Sequence, residues 1–226
     1  MKPLFCAILL LAACVSAAAQ QPLNTLSPAE QAEGFKLLFD GKALSPEIWQ
    51  ADVIPGYPVE NGDIVCRKGG NLLTVEEFAD FVFRCEFLLP PGGNNGVGIR
   101  AESSKKTPAF YGMEIQLLDD TAEKYKDLKD WQFSGSIYGV VPAKRGFLKP
   151  LGEWNAKEIT ARGTKITVKL NGETIVDADL AEFRDKPLLD GKEHPGLFRD
   201  KGFVGFLGHG DPVRFRNVRI KRLDGN

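Results

Sequence analysis

Strict alternation runs through Tyr111-Gly-Met-Glu-Ile-Gln-Leu-Leu-Asp-Asp120. Met113, Ile115 and Leu117 fall on one face of an extended strand, Glu114 and Gln116 on the other. Asn94-Asn-Gly-Val-Gly-Ile-Arg100 repeats the pattern, with Val97 and Ile99 on the apolar side and Asn94, Gly96, Gly98 and Arg100 opposite. Glycines on a polar strand face leave room for bulk against the backbone. Either strand alone reads as the solvated outer face of a two-layer sandwich. Two such faces, one carrying an acid beside an amide, point to a sheet that faces a ligand.

Short β-like runs recur between turn signals at 63–67, 81–89, 96–102, 112–118, 136–141, 154–161, 165–170, 174–177, 203–207 and 213–220, with almost no helical period. This predicts an all-β, single-domain sandwich. Asn171-Gly172 sits between two alternating runs and predicts a hairpin, since both residues tolerate positive φ. In the last run the apolar parity slips from Val213 and Phe215 to Val218 and Ile220, which places a bulge near Arg216-Asn217 and re-aims Arg216. Two long irregular segments, 119–133 and 183–201, break the pattern, and loops of that length usually cover or build a site.

Composition narrows the picture. The 226 residues are 43% hydrophobic with a formal net charge of -1, enough for one large core. Lys and Arg are scattered, so nucleic acid and anionic membrane are not expected partners. Met1-Lys-Pro followed by an apolar run to Cys14 is too short to span a bilayer and reads as an export signal. Two processing sites compete: Leu11-Ala-Ala-Cys14 resembles a lipobox that would acylate Cys14, and Ala17-Ala-Ala19 before Gln20 suits ordinary signal peptidase, the favoured of the two. The chain thus divides into a signal peptide, 1–19, a polar tether, 20–33, and the domain, 34–226. Within the tether Ser27 and Pro28 can cap and open a short helix. Cys66 and Cys85 are either a disulfide or two buried thiols, and without neighbouring histidines they make no zinc site.

Candidate chemistry rests on few residues. His209, glycine on each side, ends the Phe203–Leu207 run in an open setting that suits an acid or base as well as a turn histidine bonded to a carbonyl. His194, inside a loop, reads as structural. Glu114 can act as general base, hydroxyl acceptor or, with Gln116, metal ligand; its bland reading is a surface carboxylate. Tyr138 and Trp154 can stack on a sugar ring, although such residues more often fill a core. Asp119-Asp120 lack the spaced ligands of a calcium loop. No nucleophile elbow, phosphate loop or dinucleotide fingerprint is present.

Several motifs occur together in order: Gly34-Phe-Lys-Leu-Leu-Phe-Asp-Gly-Lys-Ala-Leu44, Leu72-Leu-Thr with Asp80-Phe-Val-Phe, Asn94-Asn-Gly-Val-Gly-Ile-Arg100, Gly112-Met-Glu-Ile-Gln116, Gly135-Ser-Ile-Tyr-Gly139, Gly152-Glu-Trp-Asn155, Leu170-Asn-Gly172 and His209-Gly-Asp-Pro-Val-Arg-Phe-Arg-Asn217. In this order they resemble the 3-keto-disaccharide hydrolase domain family, also described as 3-keto-glucoside 1,2-lyase/2-hydroxy-3-keto-glucal hydratase, over roughly Phe35 to Leu223. The resemblance implies a concanavalin A-like jelly-roll sandwich, export to the bacterial periplasm or cell envelope, and action on sugars oxidised at C3. The chain departs from the family pattern at Asn95, usually Ser, and at Leu207, commonly Gln. A C3 ketone acidifies the C2 proton, so a base can remove it and the enolate can expel the C1 substituent; adding water to the glycal completes net hydrolysis. His209 or Glu114 would be the base, Arg100 or a divalent cation would stabilise the oxyanion, and Asn94, Gln116, Tyr138, Trp154 and Arg216 would contact substrate. A non-catalytic carbohydrate-binding module and a structural envelope domain are the alternatives.

Overall fold

The computed structural model describes residues 21–50, 53–68 and 70–223; the expected signal peptide and Cys14 lie outside them. Among the described residues twelve strands form two antiparallel sheets packed face to face, a concanavalin A-like jelly-roll sandwich. In chain order they are β1 Lys36–Leu37, β2 Val59–Glu60, β3 Asp63–Val65, β4 Gly70–Leu73, β5 Phe81–Leu88, β6 Asn94–Ala101, β7 Met113–Leu118, β8 Asn155–Arg162, β9 Lys165–Leu170, β10 Glu173–Asp179, β11 Phe203–Gly208 and β12 Arg214–Arg222. The large sheet runs β10-β9-β8-β5-β12-β3-β2 with β1 on β12, and the small sheet runs β4-β11-β6-β7. Among the described residues no helix is long and apolar enough to cross a membrane.

Period-2 alternation explains the layers. Phe81, Phe83 and Phe87 of β5, Phe215 of β12 and Phe206 of β11 all point between the sheets and are buried. Phe206 stacks on Phe215 at 3.7 Å between ring centroids and meets Phe83 edge-on, so one ring of the small sheet locks two strands of the large one. Met113, Ile115 and Leu117 line the same core, as the alternation predicts. The Asn171-Gly172 turn has φ of 52° and 93°, and β9 pairs directly with β10 across it. The β12 register slips between Arg216 and Arg219 with Asn217 at φ 51°, the bulge expected from the parity change. Cys66 and Cys85 are free and buried, and burial pushes the Cys85 thiol up to about 12.

Two sequence expectations change. The run 136–141 is a turn rather than a strand: Ile137 bridges both Ile115 of β7 and Val141, so the segment folds back on itself at the sheet edge. Gly139, at φ 76° in this turn, is what lets the chain reverse. The segment expected as a tether is docked from residue 21 on. Its helix α1, Pro28–Ala32, carries a capping box between Ser27 and Glu30, and Glu30 reaches Arg219 on the outer face of the large sheet at 2.5 Å. Asn24 and Asn217 exchange backbone-to-side-chain hydrogen bonds in both directions, at 2.6 and 2.7 Å. The register slip in β12 leaves the Asn217 N–H outside the ladder, free to make this bond.

Candidate active site

The polar face of β6 and β7 forms a cleft on the outside of the small sheet, with a cavity of about 290 Å³. Glu114 and Gln116 of β7 rise from its floor, Asn94 enters from the start of β6, and His209 from the turn after β11. Tyr138 closes one side from the 136–141 turn, its backbone N–H donating to the Glu114 carbonyl at 2.9 Å. Both long loops complete the walls: Tyr125, Leu128 and Gln132 from 119–133, and Lys192 from 183–201. These loops bury Glu114 and Gln116, which on a bare sheet face would be solvated.

His209 Nε2 lies 3.5 Å from Glu114 Oε1, an ion-pair separation longer than a well-formed hydrogen bond. The Glu114 carboxylate raises the imidazole pKa above its usual 6.5 against the opposing effect of burial, with Asp211 adding to it. Glu114 Oε1 and Asn94 Oδ1 are both buried without a hydrogen-bond donor. Two orphan acceptors in one cleft are costly unless a ligand supplies donors. Gln116 Oε1 accepts from the Leu117 N–H at 3.0 Å, which leaves its amide N–H groups for the cleft. Burial raises the Tyr138 pKa against a lowering hydrogen bond with Gln132, and the negative charges of Glu114 and Asp190 add to the rise, so its hydroxyl stays protonated. Acceptors and donors in one cleft, with the aromatic Phe110 in its lining, suit a polyhydroxylated ring. For a divalent cation, the alternative to Arg100, the same two orphan oxygens are available. Among the described residues no three His, Cys, Asp or Glu side chains converge, so that donor set is sparse.

Glycine placement refines the sequence reading. A side chain at Gly96 would stand 2.3 Å from Glu114 Oε1, and one at Gly98 would stand 2.8 Å from a Leu207 methyl group. The space cleared on β6 is therefore filled by the protein's own side chains. Gly96 seats the Glu114 carboxylate flat against the strand. Leu207, where the family pattern has Gln, joins Leu73 and Ala101 in a small apolar cluster beside the cleft.

Residues 34–221 match the profile of the 3-keto-alpha-glucoside-1,2-lyase-like domain. The chain belongs to this family. A Bacteroides thetaiotaomicron protein named 3-keto-disaccharide hydrolase is 28% identical over 89% of this chain and 83% of its own length. Two crystal structures of Parabacteroides distasonis proteins are also similar. One has a TM-score of 0.78 at 28% identity, covering 90% of this chain and all of its own. The other has a TM-score of 0.70 at 30% identity, covering 84% and 99%.

Three residues expected in the cleft of this lyase-like domain lie elsewhere. Val204 of β11 faces two residues of β6, Ile99 and Arg100, and at that bulge Arg100 adopts φ 48°. Its guanidinium swings to the end of the sandwich, where it donates to the carbonyls of Ala79, Gly163 and Arg199 and pairs with Asp80 at 3.1 Å. Arg100 thus ties strand ends together and cannot reach an oxyanion in the cleft. Arg216 of β12 faces outward from the large sheet, and Trp154, just ahead of β8, lies beside it: Arg216 sits 3.9 Å above the Trp154 ring and pairs with Glu86 at 2.7 Å. Both sheets stand between that pair and the cleft.

His194 sits behind the cleft. Its Nε2 is 3.0 Å from Asp190 Oδ2, both side chains are buried, and its ring packs edge-on against Phe110 at 4.9 Å. The pair holds the 183–201 loop on the Gly139 turn, where Asp190 N–H donates to the Gly139 carbonyl. That contact brings Lys192 over the Phe110 ring at 5.3 Å. Phe110 and Lys192 are the cleft residues that the alternation could not reveal. One lies in the four-residue helix α2, Pro108–Tyr111, and the other in an irregular loop.

Proposed function

We propose that the protein cleaves 3-keto-glycosides by eliminating the C1 substituent and hydrating the product. The observation that carries this reading is the orphan carboxylate oxygen of Glu114, buried in the cleft 3.5 Å from His209 Nε2. Glu114 takes the C2 proton of the ketosugar. The C–H electron pair passes into an enolate, then into a C1–C2 double bond as the C1–O bond breaks, and His209 gives its proton to the departing oxygen. Gln116, Tyr138 and Lys192 donate towards the C3 oxygen while it carries charge, in place of Arg100. Water then adds at C1, and C2 is reprotonated. The raised imidazole pKa supports His209 as the donor, because it keeps more of the acid form near neutrality. The name of the Bacteroides thetaiotaomicron relative supports the substrate class.

Incubation with matched 3-keto- and parent glucosides in deuterated water tests the reading. Aglycone should be released from the ketosugar alone, and the product should carry deuterium at C2. Equal cleavage of both sugars would leave an ordinary glycosidase as the better description, and binding without release would leave a carbohydrate-binding module.

Export to the periplasm or cell envelope is part of the same proposal, supported by Lys2 and the apolar run that follows it. Mass spectrometry of the mature chain is expected to find Gln20 at its N-terminus, or a diacylated Cys14 if the lipobox is used. A chain retaining Met1 would refute export.

A further inference from the structure

Beside the cleft the 183–201 loop encloses a second, larger cavity of about 470 Å³. Lys192 lines both spaces, which adjoin where His194 of the second cavity meets Phe110 of the cleft edge-on. The second cavity has an apolar floor from Phe183 and Phe198, and Phe198 is partly exposed. The Arg184 guanidinium lies 4.7 Å above that ring. Arg184 and Lys186 stand at the rim with Lys192, and none of the three has an ion-pair partner among the described residues, although Glu193 is nearby. Three cations without an ion-pair partner thus surround one cavity. A neutral sugar needs acceptors as well as donors, and Glu193 is the one carboxylate here. Aromatic floor and cationic rim together match a flat ring bearing negative charge.

We infer that this cavity receives the leaving group of the substrate and selects an aromatic ring carrying a carboxylate. The inference rests on the cleft being the place where the C1 bond breaks, since only then does the neighbouring space hold what departs. Arg184 and Lys186 pair with the carboxylate at the outer end, Phe183 and Phe198 pack on the ring, and Lys192 marks the junction with the sugar.

The test compares 3-keto-glucosides linked through the phenol of 4-hydroxybenzoate and of its neutral counterpart 4-hydroxybenzamide. At low salt kcat/KM is expected to be about tenfold higher for the carboxylate, as a few partly exposed ion pairs allow, and the preference should shrink at high salt. In the Arg184→Ala/Lys186→Ala variant the preference should vanish while the amide substrate is cleaved as before. Arg184→Glu/Lys186→Glu should reverse it. A ratio near one in the unmodified protein, or one unchanged in the double variants, would overturn the inference. Cleavage of neither compound would count against the reading of the cleft, and the cavity is then judged by ligand-observed NMR with free 4-hydroxybenzoate. Line broadening that the alanine variant abolishes supports the cavity's selectivity; equal broadening by benzoate and benzamide refutes it.

Discussion

Glu114→Gln is expected to lower kcat on a 3-keto-glucoside by about two to four orders of magnitude with little change in KM, as loss of a positioned general base does. Glutamine keeps the shape that Gly96 accommodates, so the fold should be unaffected. What changes is the anionic oxygen facing the cleft and the charge beside His209. Because that carboxylate is the main cause of the raised imidazole pKa, the variant should also titrate His209 at lower pH, visible in the ring proton shifts. The sign follows for the active protein: if His209 donates a proton, kcat/KM falls as pH rises through its pKa, which lies above 6.5. His209→Ala should cost a comparable factor, and the double variant little more than either single one, since the two act as a unit. Trp154→Ala serves as a control and should leave kcat/KM unaltered. An Glu114→Gln protein that retains full activity, or whose His209 titrates unchanged, would rule out the pair as the acid–base machinery.

Lys157→Met is expected to stabilise the fold by about 2–4 kcal/mol at pH 6, as replacement of a buried charge by an apolar chain of similar volume can. Lys157 of β8 points between the sheets and is fully buried; its Nζ crosses the core to donate to the Gln116 carbonyl at 3.0 Å and lies 5.5 Å from the Phe87 ring. Burial lowers the amine from 10.5 to about 7, with the facing Cys85 thiol working weakly against it. A shift of that size corresponds to roughly 5 kcal/mol between the protonation states. Between about pH 7 and 10.5 the unfolded chain binds a proton that the folded chain does not, so stability rises with pH across that window. Below it both states carry the proton and the penalty is constant. Urea unfolding at pH 6 and pH 9 should show this rise in the parent protein and its absence in Lys157→Met. A variant less stable than the parent at pH 6 would mean that the amine's bond to Gln116 outweighs its desolvation.

Period-2 alternation made most of the sheet framework legible, because each strand buries one face and a one-residue slip would expose it. The β12 bulge was readable for the same reason: apolar residues flank it on both sides, so the change of parity is visible. In β6 the equivalent bulge at Arg100 is followed only by Ala101 and Glu102, which carry no parity signal, so alternation alone places Arg100 on the cleft face. Trp154 and Arg216 failed differently. Outward faces of both sheets look alike in sequence; what separates a cleft from a solvated face is the pair of long loops folded over β7, a contact between residues far apart in the chain. Lys157 shares parity with Ile159 and Ala161, yet its charge argues for the surface, and here packing prevails over the usual preference. Phe110 and Lys192 carry no periodicity at all and became visible only once the loops were in place.

The clasp between Asn24 and Asn217 also sets the side of the sandwich on which residues 21–23 lie. It sits on the outward side of the large sheet, near Glu30 and Arg219, whereas the cleft opens from the outward side of the small one. A molecule held by its leading end to a bead, a sensor chip or a lipid layer therefore turns its back to the support. Immobilisation through that end should leave the mouth of the cleft facing bulk solution.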